Sequence, residues 1–222
     1  MTVNVIVQAR MGSKRLPGKV MRTVDGRPMI DIMLERLQQC ELATHVIVAM
    51  PEEDRGGVLD TWVQKRWHDR AFGPMDNVAA RFEKALWQYP CDAFVRICAD
   101  SPLIDPGLVD LAISIFQSDP TLDLVTNTTP RTFPAGQCVE LVKTTTFATH
   151  TPRFTTDYQR EHVTPYFYEH GDQFRGEVFG MTPDMSDVRM VVDTAEDFDN
   201  FARAVSGHDN LESMRWQSFL RR

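Results

Sequence analysis

The sequence predicts an α/β fold, a mainly parallel mixed sheet flanked by helices. Three observations predict it. From Val3 to Val125, short β-branched runs alternate with stretches of helical period. Cap and proline signals bound the helical stretches. The last quarter then returns to a strand and a helix. Such alternation places parallel strands in one sheet with helices on both faces.

In order, the pattern predicts a strand Val3 to Val7, a helix Pro28 to Cys40, a strand Val46 to Met50 and a helical stretch Val58 to Trp67. A short strand, Ala71-Phe72, leads to a helix Asp76 to Gln88, the strand Ala93 to Cys98, a helix Pro106 to Phe116 and a strand Leu122 to Val125. Pro28 follows Gly26-Arg27 at a first helical position, and Asp105-Pro106 reads as an N-cap followed by proline. Periodicity in the Pro28 helix puts Ile32, Leu34 and Leu37 on one side and turns Glu35, Arg36 and Gln38 outward. After Asn127 the turn-rich "TTPRTFPAGQCVELVK" predicts a smaller lobe, so residues 1–222 read as a single domain with 128–170 inserted. "VRMVV" at 188–192 reads as a strand and Ala195 to Val205 as a helix. The final "SMRWQSFLRR" is amphipathic and short, suited to packing on the body or on a second subunit.

Composition excludes disorder, collagen and coiled coil. No basic leader precedes a long apolar stretch, and no apolar run approaches the roughly 20 residues that span a bilayer. The expectation is a soluble cytoplasmic protein with no membrane partner. Cys40, Cys91, Cys98 and Cys138 lack CxxC spacing and read as reduced thiols rather than a zinc site or a disulfide framework.

Charge is uneven. The net charge is -7, yet residues 10–27 carry Arg10, Lys14, Arg15, Lys19, Arg22 and Arg27 against Asp25 alone, so the rest of the chain sums to -12. A strongly positive loop on an acidic body suits a compact, multiply charged anion such as a triphosphate. A nucleic acid would want an extended basic face.

That loop, "QARMGSKRLPGKV", follows the first strand but fails the pattern GxxxxGK[ST]. Gly12 and Gly18 are separated by five residues, Val20 replaces the hydroxyl, and no helix begins until Pro28. GxGxxG is absent as well. What remains is a cationic clamp in which Lys14, Arg15 and Lys19 converge on phosphates while the Gly12-Ser13 amides approach them. Such a clamp brings no metal ligand of its own. Carboxylates must come from other strand ends on the same rim, and Asp100 and Asp193 each stand just past a strand. Asp105 and Asp193 also look like helix N-caps; Asp100, separated from its helix by Pro102, does not. Asp197-Phe198-Asp199 mimics a metal-binding DxD, but in a helix positions i and i+2 face apart.

The motifs "VQARMGSKRLPGKV", "VRICADSPLIDP", "REHVTPYF" and "VVDTAEDF" resemble those of the CMP-sugar synthetases, the acylneuraminate and 3-deoxy-manno-octulosonate cytidylyltransferases, and most closely their spore-coat-polysaccharide branch. The resemblance implies a nucleotide-diphospho-sugar transferase-like domain that couples CTP to an anionic small-molecule acceptor with Mg²⁺ and releases pyrophosphate. It also implies a homodimer, through the 128–170 lobe. Carried over by position, Ala9, Arg10, Gly12, Ser13, Lys14, Arg15, Lys19, Asp76 and Arg96 would bind the nucleotide, with Arg10, Lys19 and Asp100 catalytic. Asp100 and Asp193 would hold the metal, and Arg131, Glu140, Arg160 and His162 the acceptor. Two stretches depart from the branch. Cys138 stands where "GQCVE" would carry an aspartate, and Pro74 replaces a hydroxyl in "FGPMDNV". Acceptor and base therefore stay open, as do two alternatives: a glycosyltransferase consuming a nucleotide sugar, and a nucleotide-binding relative without turnover.

Overall fold

The fold was analysed in a computed structural model that describes residues 1–66 and 68–220. Elements in chain order are β1 (Val3–Gln8), β2 (Thr23–Val24), β3 (Arg27–Pro28), α1 (Met29–Leu37), β4 (His45–Pro51), α2 (Val58–Lys65), β5 (Asp69–Gly73), α3 (Val78–Gln88) and β6 (Ala93–Cys98). They continue as α4 (Pro106–Ser118), β7 (Leu124–Thr126), β8 (Glu140–Lys143), α5 (Thr144–His150), α6 (Asp157–His162), α7 (Pro165–Glu169), β9 (Gly176–Val178) and α8 (Ala195–Val205).

The seven-stranded sheet runs β5-β4-β1-β6-β8-β7-β9. β5, β4, β1 and β6 are mutually parallel, β8 is antiparallel to both β6 and β7, and β9 is parallel to β7. Strand order reverses at β1: β4 lies on one side and β6 on the other. That reversal opens a crevice beyond the carboxyl ends of β1 and β6, where open α/β sheets place their ligands.

Both faces of the sheet are buried, and the two-residue side-chain period sorts each strand between two cores. Val3, Val5 and Val7 of β1 with Val95 and Ile97 of β6 pack against α1, α2, α4 and α8. Ile6 and Phe94, on the opposite face, pack against α3, α5 and α7 through Phe82, Phe147 and Phe167. No described helix is long and apolar enough to cross a membrane.

Several expectations change. Residues 128–170 are built into the sheet: β8 is an interior strand, and α5, α6 and α7 follow it. The "VRMVV" segment joins no ladder. It makes one bridge, Arg189 with Ala135, and its Val192 N–H donates to the Asp100 carbonyl at 2.8 Å, so it crosses the end of the sheet. Pro28 belongs to a two-stranded ribbon with Thr23 and is the N-cap of α1. Asn77 caps α3, so Asp76 lies outside that helix. Trp67, the expected end of the second helix, lies outside the described residues.

Arg36 is fully buried, not outward. Its guanidinium donates to the carbonyls of Leu103, Ile104 and Leu211, so a charged side chain on an apolar helix face ties the loop after β6 to the C-terminal segment. Burial lowers its pKa to about 10, which leaves it charged at neutral pH. The last segment packs on the body through a 3-10 turn that buries Trp216 and Phe219; Arg221 and Arg222 lie outside the described residues.

Candidate active site

A cleft of about 470 Å³ opens at the β1/β6 reversal, lined by the loop after β1, the ends of β1 and β6, α6 and the start of the α8 segment. A second hollow of about 420 Å³ lies beside α8, floored by Leu103, Val191, Phe201 and Phe219. Chemistry separates the two. In the first, Arg10, Lys14, Arg15, Lys19, Arg96, Asp100, His162 and Asp193 converge.

Local folding aims the cationic loop. Leu16 and Val20 are buried and anchor the loop, while Lys14, Arg15 and Pro17 are exposed. Gly18 takes φ +67°, and its N–H, like that of Ser13, donates to the Met11 carbonyl, closing the loop on itself. Ser13 Oγ accepts from Leu16 N. A Cβ at Gly12 would meet nothing within 4 Å, so packing does not demand glycine there; the Ser13 amide, expected on a phosphate, is bonded to the Met11 carbonyl. A short 3-10 turn, Lys19–Met21, sits inside the expected loop and points Lys19 back across the cleft.

Lys19 joins the parts. Its Nζ donates to the Val192 carbonyl and to Asp193 Oδ1, both at 2.8 Å, and lies 3.6 Å from Asp100 Oδ2. Its side chain is only 11% exposed. Arg15 Nη2 reaches Asp193 Oδ2 at 2.9 Å, and Arg189 Nη2 lies 3.5 Å from the same oxygen. Burial, the largest single influence on Asp193, pushes its carboxyl up; the Lys19 hydrogen bond and the charges of Lys19, Arg15 and Arg189 outweigh it and hold the carboxyl below its ordinary value.

Asp193 is not a helix cap. Thr194 caps α8 and forms a reciprocal capping box with Asp197. Asp197 Oδ2 also accepts the Asp193 N–H, and Arg189 grips the same carboxylate. The hydrogen bond from Arg189 is the main reason this carboxyl sits far below the usual range. The DxD-like pair is thus a helix-terminus device. Asp105 is a cap, accepting from Gly107 N while also holding Arg215 and Trp216.

The opposite half of the cleft is built on a buried ion pair. Arg96 Nη1 bonds Glu140 Oε2 at 2.5 Å and its Nε bonds Gln8 Oε1. Thr164 and Tyr168 hydroxyls both donate to Glu140 Oε1. Arg96 and Glu140, expected in the nucleotide and acceptor sets, are thus bonded to each other. His162 lies nearby, lowered chiefly by burial and next by the charge of Arg96.

Of the other sequence candidates, Ala9 is buried and Gly12 exposed beside the cleft, and Asp76 is exposed beyond β5. Arg131 is exposed and bonds the Ser186 carbonyl, while Arg160 pairs with Asp157; none of these five lines the cleft. Gln8, Cys98 and Glu161 do line it and were not foreseen. Glu161 pairs with Arg10 at 3.2 Å across the mouth. Its signal was available, since it sits inside "REHVTPYF".

A sequence model of the cytidylyltransferase family matches residues 4–213. The chain belongs to the cytidylyltransferase family and is a nucleotidyltransferase. It is 28% identical, over 88% of its length and 82% of the relative's, to the spore coat polysaccharide biosynthesis protein SpsF of Bacillus subtilis. A 3-deoxy-manno-octulosonate cytidylyltransferase of Geotalea daltonii is 31% identical, over 55% of this chain and 47% of that protein. The solved cytidylyltransferase of Leptospira borgpetersenii superposes with a TM-score of 0.92 and 28% identity, covering 99% of this chain and 92% of that one. A CMP:2-keto-3-deoxy-manno-octonic acid synthetase complexed with CTP shares the fold, with a TM-score of 0.72 at 16% identity over 91% of this chain and 98% of its own.

The cytidylyltransferase cleft has donors suited to a divalent cation. Asp100 and Asp193 both reach one positive centre, the Lys19 ammonium. Among the described residues no group of three His, Cys, Asp or Glu side chains could hold a metal alone. Two carboxylates with the remaining positions left to phosphate and water fit Mg²⁺, which dehydrates reluctantly.

Proposed function

We propose that this cytidylyltransferase couples CTP to an oxygen of an anionic sugar acid or a related acceptor, with Mg²⁺ held by Asp100 and Asp193. The convergence of Lys19, Arg15, Asp100 and Asp193 at the strand reversal carries this reading. An acceptor hydroxyl oxygen bonds the α-phosphorus and gives up its proton to a base, the neutral His162 ring or water, while the bond from that phosphorus to the bridging oxygen breaks and pyrophosphate leaves. The ion, when bound, neutralises charge on the phosphate oxygens.

Everything else falls to the chain. Lys14, Arg15 and Lys19 hold the triphosphate beside the Gly12 amide, and once it is bound these cations need no reorganisation as charge shifts to the leaving pyrophosphate. Arg10 and Arg96 face the acceptor half, the latter oriented from behind by Glu140 and Gln8. His162, neutral at physiological pH, offers a ring nitrogen to an acceptor hydroxyl. The acidic remainder of the chain favours an acceptor that enters through the basic mouth, hence an anion.

The experiment is pyrophosphate release from CTP and Mg²⁺ against a panel of keto-sugar acids. Wild type should release pyrophosphate with at least one acceptor, and Asp100→Asn should lose about 100-fold or more in kcat. No release with any acceptor, or an Asp100→Asn enzyme equal to wild type, sinks the reading.

A further inference from the structure

Counting charge around the two carboxylates gives an unexpected balance. Asp100 and Asp193 face Lys19 at 3.6 and 2.8 Å, and Asp193 also faces Arg15 at 2.9 Å and Arg189 at 3.5 Å. Arg189 is shared with Asp197. A free divalent ion entering between the carboxylates would therefore displace or abut a nearly buried ammonium, and unit charges a few ångströms apart at partly buried positions repel strongly. The Lys19 side chain is held by a fixed acceptor as well, the Val192 carbonyl.

A triphosphate changes this balance. Its oxygens offer Lys19 and Arg15 alternative anionic partners and supply further ligands to the ion. Resting on the functional reading above, we propose that Lys19 is the counter-cation of the Asp100/Asp193 pair. It keeps a free divalent ion out until nucleotide phosphate draws the ammonium away, so that metal and nucleotide bind with strong positive coupling. Lys19 then has two roles, occupying the carboxylates before the triphosphate arrives and the phosphates afterwards.

The test is binding of Mn²⁺, followed by the electron-paramagnetic-resonance signal of the free ion, with no acceptor present. Wild type should bind Mn²⁺ alone weakly, and CTP should raise that affinity roughly tenfold or more. Lys19→Met and Lys19→Gln should bind Mn²⁺ without nucleotide roughly tenfold tighter than wild type, and CTP should raise their affinity by a smaller factor than it does for wild type. Adding Asp193→Asn to Lys19→Met should abolish the gain.

Either result overturns the proposal: Lys19 variants with unchanged or weaker nucleotide-free affinity, or a wild type whose Mn²⁺ affinity ignores CTP. The second measurement, taken as the Mn²⁺ bound beyond that in a protein-free titration with CTP, needs no variant and so holds even if the substitutions unfold the protein. Failure of the functional reading looks different. Intact coupling of Mn²⁺ and CTP without pyrophosphate release would sink the chemistry and leave the role of Lys19 standing.

Discussion

Gly12 and His162 are single residues whose environments make opposite claims. Nothing packs where a Gly12 side chain would go, so Gly12→Ala should leave the unfolding free energy in urea within about 0.5 kcal/mol of wild type. The same methyl would stand beside the amide assigned to the triphosphate, so CTP affinity in a calorimetric titration should fall. Equal loss of stability and affinity would place Gly12 in the scaffold instead. His162 and His68 are both held below their ordinary value of 6.5, chiefly by burial, so the folded protein binds fewer protons than the unfolded chain just below that pH. Stability contributed by the neutral rings is present above pH 6.5 and is lost as pH falls through their lower folded values. Urea midpoints measured between pH 7 and 5 should therefore decline, and His162→Gln with His68→Gln should flatten the decline. At this scale the sequence was most readable where chemistry forces an unusual cluster. Cations flanked by glycine and proline mark the loop, and Asp100 stands just past a strand as expected, whereas Asp193 faces it although the run before it is not a strand. Arg131 and Arg160 were less readable, because an arginine near a motif looks the same whether it faces a ligand or bonds a neighbouring carbonyl.

The loop from Asp100 to Asp105 is an element without regular structure, held from three sides. Gln137 accepts from Asp105 N and donates to the Leu103 carbonyl, Arg36 bonds the Leu103 and Ile104 carbonyls, and Asp105 captures Trp216 N. Arg36→Met would leave the Ile104 carbonyl without its side-chain donor and the Leu103 carbonyl with Gln137 alone. The cost should be about 2 to 4 kcal/mol in urea unfolding, with an unchanged m-value, because a buried acceptor loses its only strong partner. A near-neutral variant would show that water replaces the guanidinium. Neither Arg36 nor Gln137 was legible in the sequence. Periodicity sorts polar residues to the surface, and only tertiary contacts reveal that a buried arginine satisfies carbonyls from two distant segments. The strands β1 and β6 and the helix α8 were legible because β-branched runs and a capped amphipathic stretch state their own type. "VRMVV" has the same composition as a strand but lacks a neighbour with which to form a ladder, a fact that resides outside the segment.

Across the whole molecule, a net charge of -7 surrounds a cleft lined by basic side chains. The field at the mouth attracts anions while the remaining surface repels them, so the association rate of CTP should fall as salt rises from about 0.05 to 0.5 M, with a smaller change in dissociation rate. Stopped-flow titration checks this; a salt-independent association rate would show that the basic cluster acts only at contact. Fold class was accessible from alternation alone. The building of residues 128–170 into the sheet was not, because an interior antiparallel strand flanked by turns reads like the start of a separate unit. One bond, from Val192 N to the Asp100 carbonyl, bears on how the protein is made. β1, the cationic loop and β6 are in place by residue 100, yet their second carboxylate arrives only with residue 193. Glu140, which holds Arg96, and Val192 and Asp193, which hold Lys19, are likewise late in the chain, so the cleft is completed only when the last fifth of the sequence closes over its first.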